Sequence, residues 1–331
     1  MIHIDASDGG GQILRTALGL SVLTGKPCTI ENIRKNRPKP GLREQHLKGV
    51  LAMLELSKGE VSGAALDSDK IVFNPKTIGE GEIKVEIDTA GSVGLILQTI
   101  LIPAVDTELI IEIKGGATFG NFAPPMSHFN HVLFPLLKKM GYEVSSEIHH
   151  HGFYPKGGAR LDVTSNKAKL KPLNINDKGK IKSIKIFSIA SKKLVKKEVA
   201  ERQAEKAKEL LSERFSEKIQ VVTKYVDSLN LGSGIQIVIE TENSILGGDA
   251  VGEKDKSSEK IAEKAVKSII RSYDNGTVDV HTADMLLPYI AIAGGSYTTP
   301  QMTNHIKSNI KVIELFLGKK FNVKGRTISV N

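Results

Sequence analysis

The sequence predicts an α+β protein of two domains: a large one built from a repeated strand–helix unit, with a smaller α/β domain inserted. Three observations predict this. A short polar or glycine-rich loop leads three times into a strongly apolar helix: Gly9-Gly10-Gly11-Gln12 before Ile13 to Leu23, Thr89-Ala90-Gly91-Ser92 before Val93 to Val105, and His281-Thr282-Ala283-Asp284 before Met285 to Ala293. Helices apolar on nearly every side belong inside a domain. Around them run segments of period-two alternation, such as Ile83 to Asp88, Leu109 to Lys114 and Arg160 to Thr164, the pattern of half-buried strands. Finally, a polar, turn-rich linker from Asn166 to Gly179 precedes a region of different character.

That region opens with a strand over Ile181 to Ile189 and a charged helix from Val195 to Phe215. Strands over Ile219 to Val226 and Gly234 to Glu240 follow, then a helix from Ser257 to Tyr273. The expected division is 1–178 for the first two repeats, 179–275 for the insertion and 276–331 for the third repeat. Amphipathic helices are also expected over Arg43 to Leu56 and Ser127 to Met140.

The chain has 331 residues, 40% of them hydrophobic, ample for real cores. No apolar stretch is long enough for a membrane span, and the first residues lack a signal-peptide pattern, so a cytoplasmic protein is expected. A single cysteine, Cys28, excludes an internal disulfide and a cysteine-ligated metal, and reads as a buried strand residue. The net charge of +9 fits a phosphate-rich partner, and equally a lysine-rich thermophilic surface.

The arginines shift that balance. Arg34, Lys35, Arg37, Lys39 and Arg43 lie in a Pro-containing loop entering a helix, where two prolines limit the freedom lost on engaging a phosphate. Gln45 and His46 sit in the first helical turn and can donate to the same anion. The glycines before Gln12 let backbone N–H groups approach an anion at a helix N-terminus, and Asp8 beside them could hold a hard cation. A tight turn with an Asp cap is the plainer account of that loop. It has neither the spacing nor the lysine of a Walker loop.

Among the histidines, His149-His150-His151 reads as a strand end whose side chains alternate in direction. His305 stands at or just inside the start of a terminal helix whose apolar face is Ile306, Ile310, Ile313 and Phe316 or Leu317. The positive helix end disfavours its imidazolium, and a neutral imidazole is what attack on phosphorus requires. By position alone, a partly buried histidine bonded to a cap is the plainer account.

These pieces resemble the RNA 3′-terminal phosphate cyclases: Gly9 to Arg15, Ile33-Arg34 with Arg37 to Leu42, Gln45-His46-Leu47, Ala90-Gly91-Ser92 and Leu97-Gln98-Thr99. The likeness continues through Ala123-Pro124-Pro125, His151 to Gly158, Val251 to Lys254, Ala283-Asp284 with Leu287-Pro288, and His305 with Ser308-Asn309-Ile310. They run in order over nearly the whole chain. The resemblance implies three βαβαββ-type repeats with a smaller inserted α/β domain. It also implies an enzyme of the ATP-dependent ligase class that closes an RNA 3′-phosphate into a 2′,3′-cyclic phosphate. A histidine takes AMP from ATP, AMP passes to the RNA phosphate as an RNA(3′)pp(5′)A anhydride, and the 2′-OH displaces it.

By the same resemblance His305 is the adenylylated residue. Gln98, Pro124, His281, Thr282, Ala283, Asp284 and Met285 line the ATP side; Arg15, Arg34, Arg37, Gln45 and His46 face the RNA phosphate. Asp8 is the metal residue for Mg²⁺ or Mn²⁺. The partners implied are RNA and ATP, with a homodimer left open and no membrane. Departures fall at Asp8, in a loop shorter than the family's and lacking its glutamate, and at His281, Met285 and Ser127-His128, which replace a usual aromatic, a common Gln and an Asp-Phe pair. A modified adenine pocket is the expectation. The rival readings are an inactive cyclase-like factor of ribosomal RNA processing, against which His305 and the arginine loop speak, and an enolpyruvyl-type transferase, whose phosphoenolpyruvate motifs are not seen.

Overall fold

The computed structural model describes residues 1–120 and 123–331. The first sheet holds β1 (Ile2–Asp5), β2 (Cys28–Glu31), β3 (Glu60–Ser62) and β4 (Ile71–Asn74), in the order β1-β2-β4-β3. β1 and β2 are parallel, and β4 is antiparallel to both its neighbours. α1 (Gly11–Thr24) crosses from β1 to β2, as a parallel pair demands, and α2 (Glu44–Ser57) leads on to β3.

The second sheet repeats the plan with β5 (Gly81–Ser92), β6 (Leu109–Ala117), β7 (Val144–His150) and β8 (Arg160–Ser165), ordered β5-β6-β8-β7. α3 (Val93–Ile100) follows β5, and a helical run over 126–139 follows β6. That run is α4 (Met126–His128), a π turn (Phe129–Leu133) and α5 (Phe134–Lys139). Pro135, with no N–H for the carbonyl four residues back, sits at the irregularity.

The third repeat starts at β9 (Leu173–Ile175). Before it resumes, the chain forms β10 (Ile181–Ser191), α6 (Val199–Ser212), β11 (Ile219–Val226), β12 (Ser233–Thr241), β13 (Ile245–Val251) and α7 (Ser258–Asn275). These strands make a separate sheet, β11-β10-β12-β13. Next come α8 (Val280–Met285), α9 (Leu287–Ala293), β14 (Gly295–Thr298), α10 (Asn304–Leu317), β15 (Asn322–Lys324) and β16 (Thr327–Val330). β14 pairs in parallel with β9, giving β9-β14-β16-β15, the order of the first two sheets. Three sheets of one topology make this a mixed α+β fold of βαβαββ units.

Three expectations are corrected. The stretch from Asn166 to Gly179 is not only a linker, because it carries β9, so the third repeat begins before the insertion rather than at 276. Three residues are too few for alternation to register; only the pairing with β14 defines the strand. Thr89 to Ser92 is not a loop but the end of β5, with an irregular register between Ile87 and Ser92. The charged helix is broken: a 3₁₀ turn, Lys192–Lys197, meets α6 at Glu198, whose φ is +48°.

One apolar core joins the repeats, with Leu14, Leu18, Leu97, Ile113, Leu286 and Ile313 fully buried. A second core, including Ile184, Leu211, Ile237 and Ile269, belongs to the inserted sheet and its two helices. Cys28 is buried in β2, and burial pushes its thiol up to about 11. Among the described residues no helix is long and apolar enough to cross a membrane.

Candidate active site

The N-terminus of α1 is capped by Gly10, whose N–H donates to Gln12 Oε1 (2.9 Å). Two basic side chains converge there. A Cβ on Gly10 would lie 2.9 Å from Arg37 Nη2, and one on Gly11 would collide with His46 Nε2. The glycines are therefore the space these side chains occupy, and Arg15 Nη1 borders the same spot. His46 Nδ1 accepts the Arg43 N–H (3.2 Å), which leaves its proton on Nε2, facing the helix end. Burial, then Arg15, Arg34 and Arg43, hold His46 down to about 3, so it is a neutral donor.

Other predicted residues have structural partners. Arg34, at φ +56°, donates from Nη1 to the carbonyls of Lys39 (2.7 Å) and Gly41 (2.9 Å), bracing the basic loop. Gln45 Oε1 accepts the Ser92 N–H (3.0 Å), tying α2 to the start of α3. Asp8 is exposed and faces Lys311 Nζ (3.5 Å). Among the described residues no three His, Cys, Asp or Glu side chains gather as a metal cage. A single exposed carboxylate facing a lysine does not fit a protein-held divalent ion.

A cavity lies between α1, α3, α8 and α10, walled by Gln12, Arg15, Gln98, Asp284, Met285 and Asn309. Arg15 Nε donates to Gln98 Oε1 (3.1 Å), so a residue expected on the RNA side touches one expected on the ATP side. Burial lowers Arg15 to about 10, with Asp284 opposing; it remains a cation. Asp284 Oδ1 accepts from Asn309 Nδ2 (2.6 Å), and its Oδ2 lies 3.8 Å from His305 Nδ1. Thr16 donates to Asn309 Oδ1 (2.9 Å) and Gln12 Nε2 to Ser308 Oγ (3.1 Å), locking α1 to α10.

His305 is the second residue of α10, whose cap is Thr303 Oγ1 accepting the Ile306 N–H (3.2 Å). Its ring is half exposed. Burial lowers its pKa; Asp284 opposes this, while Arg15, Arg37 and His281 add to it. Asp284 is itself raised by burial. The site thus offers an accessible neutral imidazole beside a fixed acid and two arginines.

His281 takes another partner. Its Nε2 lies 3.3 Å from Oδ1 of Asp249, on β13 of the inserted sheet, and its ring meets His128 edge-on at 5.5 Å. Burial opposes charge on His281, but Asp249 outweighs it and, with Asp279 and Asp284, raises the group to about 9. The sign follows: the pair's stabilisation is full below pH 6.5 and is lost as pH rises through about 9. Asp249→Asn is expected to abolish that dependence. Urea midpoints of wild type and variant should converge between these pH values, and parallel curves would refute the pairing.

Beneath them, Asp279 caps α8 by accepting from Thr282 N (2.9 Å) and Thr282 Oγ1 (2.8 Å), and also takes the Gly247 N–H (2.9 Å) of β13. Buried His128 meets Thr282 Oγ1 through Nε2 (3.2 Å). The Ala283 carbonyl accepts from Tyr297 (2.5 Å), and Pro124 is buried beside Gly94 at the start of α3. Sequence reasoning missed Asp249 and Asp279. An Asp three residues before Thr282 is a helix-cap pattern, and Gly247-Gly248 inside a strand signals close approach; a Cβ on Gly247 would sit 2.6 Å from His128 Nδ1.

The model of the RNA 3′-terminal phosphate cyclase family matches residues 6–323. A protein called RNA 3′-terminal phosphate cyclase from Thermococcus kodakarensis is 40% identical over 98% of this chain and 95% of its own. One from Archaeoglobus fulgidus is 40% identical over all of both chains, and one from Saccharolobus islandicus 37% identical over 98% and 97%. The chain belongs to the RNA 3′-terminal phosphate cyclase family.

Proposed function

We propose that this protein uses ATP to convert RNA 3′-phosphate ends to 2′,3′-cyclic phosphates through a histidyl-AMP on His305. The observation that carries the reading is the half-exposed, charge-disfavoured His305 held against Asp284 where Arg15 and Arg37 converge. Asp284 faces Nδ1 and would hold its proton, leaving Nε2 to attack the α-phosphorus. The P–N bond forms as the bond to pyrophosphate breaks. AMP then moves to a phosphate oxygen of the RNA end, because a monoester dianion is a poor electrophile without that leaving group. The 2′-OH closes the ring and expels AMP.

Gln98, Pro124, His281, Thr282, Ala283, Asp284 and Met285 are assigned to ATP, with Thr282 and Ala283 acting through the backbone position their partners impose. Arg15, Arg37 and the neutral donor His46 are assigned to the RNA phosphate, while Arg34 and Gln45 hold that set in place. The Arg15–Gln98 bond makes one continuous anion site in which AMP can pass between acceptors. Mg²⁺ or Mn²⁺ would arrive bound to the phosphates of ATP and offset their charge; Asp8, facing Lys311, does not hold the ion by itself.

Incubation with α-labelled ATP is expected to give an acid-labile protein adduct without RNA. His305→Ala should remove it and His281→Ala should retain part of it. Its acid limb should lie below pH 6.5, since burial lowers His305. An adduct persisting in His305→Ala would sink the assignment, and none in wild type would favour a binding factor.

A further inference from the structure

Four loops meet along one edge of the inserted sheet: 153–158, the turn Lys192–Lys197, 228–233 and 251–256. They are tied together. Asn230 Nδ2 donates to the Phe153 carbonyl (3.2 Å) and Lys193 Nζ to the Leu229 carbonyl (3.4 Å). Leu229 also fills the space that a Cβ on Gly158 would need. Between the loops runs a groove of about 720 Å³, floored by Phe119 and Phe153, which stack at 6.0 Å.

Its rim is unusual for a surface in water. Tyr154, Leu229 and Leu231 are 67%, 64% and 59% exposed, and such a gathering of large apolar groups marks a contact surface. Lysines surround it. Lys156, Lys193, Lys196, Lys197 and Lys254 have no ion-pair partner among the described residues, whereas Asp227 and Glu253 are taken by Lys192 and Lys256. Glu198 and Asp255 are the carboxylates left, so the rim is net positive.

The loop that carries Tyr154 also packs on the strand that leads to the anion site. Gly157 lies against the end of β5, where its Cβ would approach the Thr89 carbonyl to 2.8 Å. Three residues on, Ser92 donates to Gln45, beside His46. An exposed aromatic face with lysines at its edges matches a single strand, in which flat bases alternate with phosphates.

We propose that this groove binds the RNA strand upstream of its 3′ end, with Tyr154 stacking on a base and the unpaired lysines following the phosphates. This rests on the RNA substrate assigned above. Single-stranded 3′-phosphorylated oligonucleotides of about three and about twenty nucleotides separate the two sites. Wild type should bind the long strand more tightly. Tyr154→Ala should weaken the long strand by roughly 5- to 100-fold. Lys196→Glu with Lys197→Glu should reduce the salt dependence of long-strand binding by about one to two in logarithmic slope. Both variants should cyclise the short strand and label on His305 as wild type does, and Tyr154→Phe should bind like wild type. Equal binding of the long strand by wild type and Tyr154→Ala, or equal losses on both lengths, would overturn the proposal. The titration needs no ATP, so failure of wild-type labelling would count against the nucleotidyl-transfer reading alone.

Discussion

Replacing Asp284 by Ala is expected to slow labelling of His305 by about two to four orders of magnitude, the scale on which losing an orienting carboxylate acts. Three contacts fail at once. Asn309 Nδ2 loses its acceptor, His305 Nδ1 loses the group facing it at 3.8 Å, and Arg15 loses its neighbouring negative charge. A ring without its partner presents Nε2 in many directions, and the attack geometry is no longer prepaid. The pH profile gives the independent check. Asp284 raises the His305 pKa against burial, so Asp284→Asn should move the acid limb to still lower pH. A loss below about tenfold, with an unmoved limb, would remove Asp284 from the mechanism.

Asp279→Ala should have the largest effect on stability, lowering the unfolding free energy by about 3–5 kcal/mol. Its carboxylate is buried at 1% exposure and accepts from Thr282 N, Thr282 Oγ1 and Gly247 N. Alanine leaves those donors without an acceptor where water has no ready access. Because the bonds reach α8 and β13 together, the loss also loosens the inserted sheet from the helix that carries His281 and Asp284. Against a typical stability of about 5–15 kcal/mol, most of the margin is at stake. Guanidinium unfolding measures it, and a change under about 1 kcal/mol would show that the three bonds contribute little.

Much of this was legible along the chain because its causes are local. The apolar run after Gly11 makes α1 an interior helix wherever it is placed, and the Thr303 cap sets His305 in the first turn of α10. The prolines and arginines of the 34–43 loop announce a stiff cationic surface before any contact is known. The ordered motifs from Gly9 to Ile310 carried the family as well.

What tertiary structure alone decided are the meetings of residues far apart in sequence. β9 is a strand only because β14 lies beside it, and Arg34 braces its own loop because that loop folds back on it. Arg15 reached Gln98, Asn309 reached Asp284, and Asp249 of the inserted sheet reached His281. Local pattern sets which face of an element is apolar, but partners across repeats are selected by how those faces close on one another. Charges brought together by that closure, out of water, then acquire the pKa shifts that no spacing along the chain encodes.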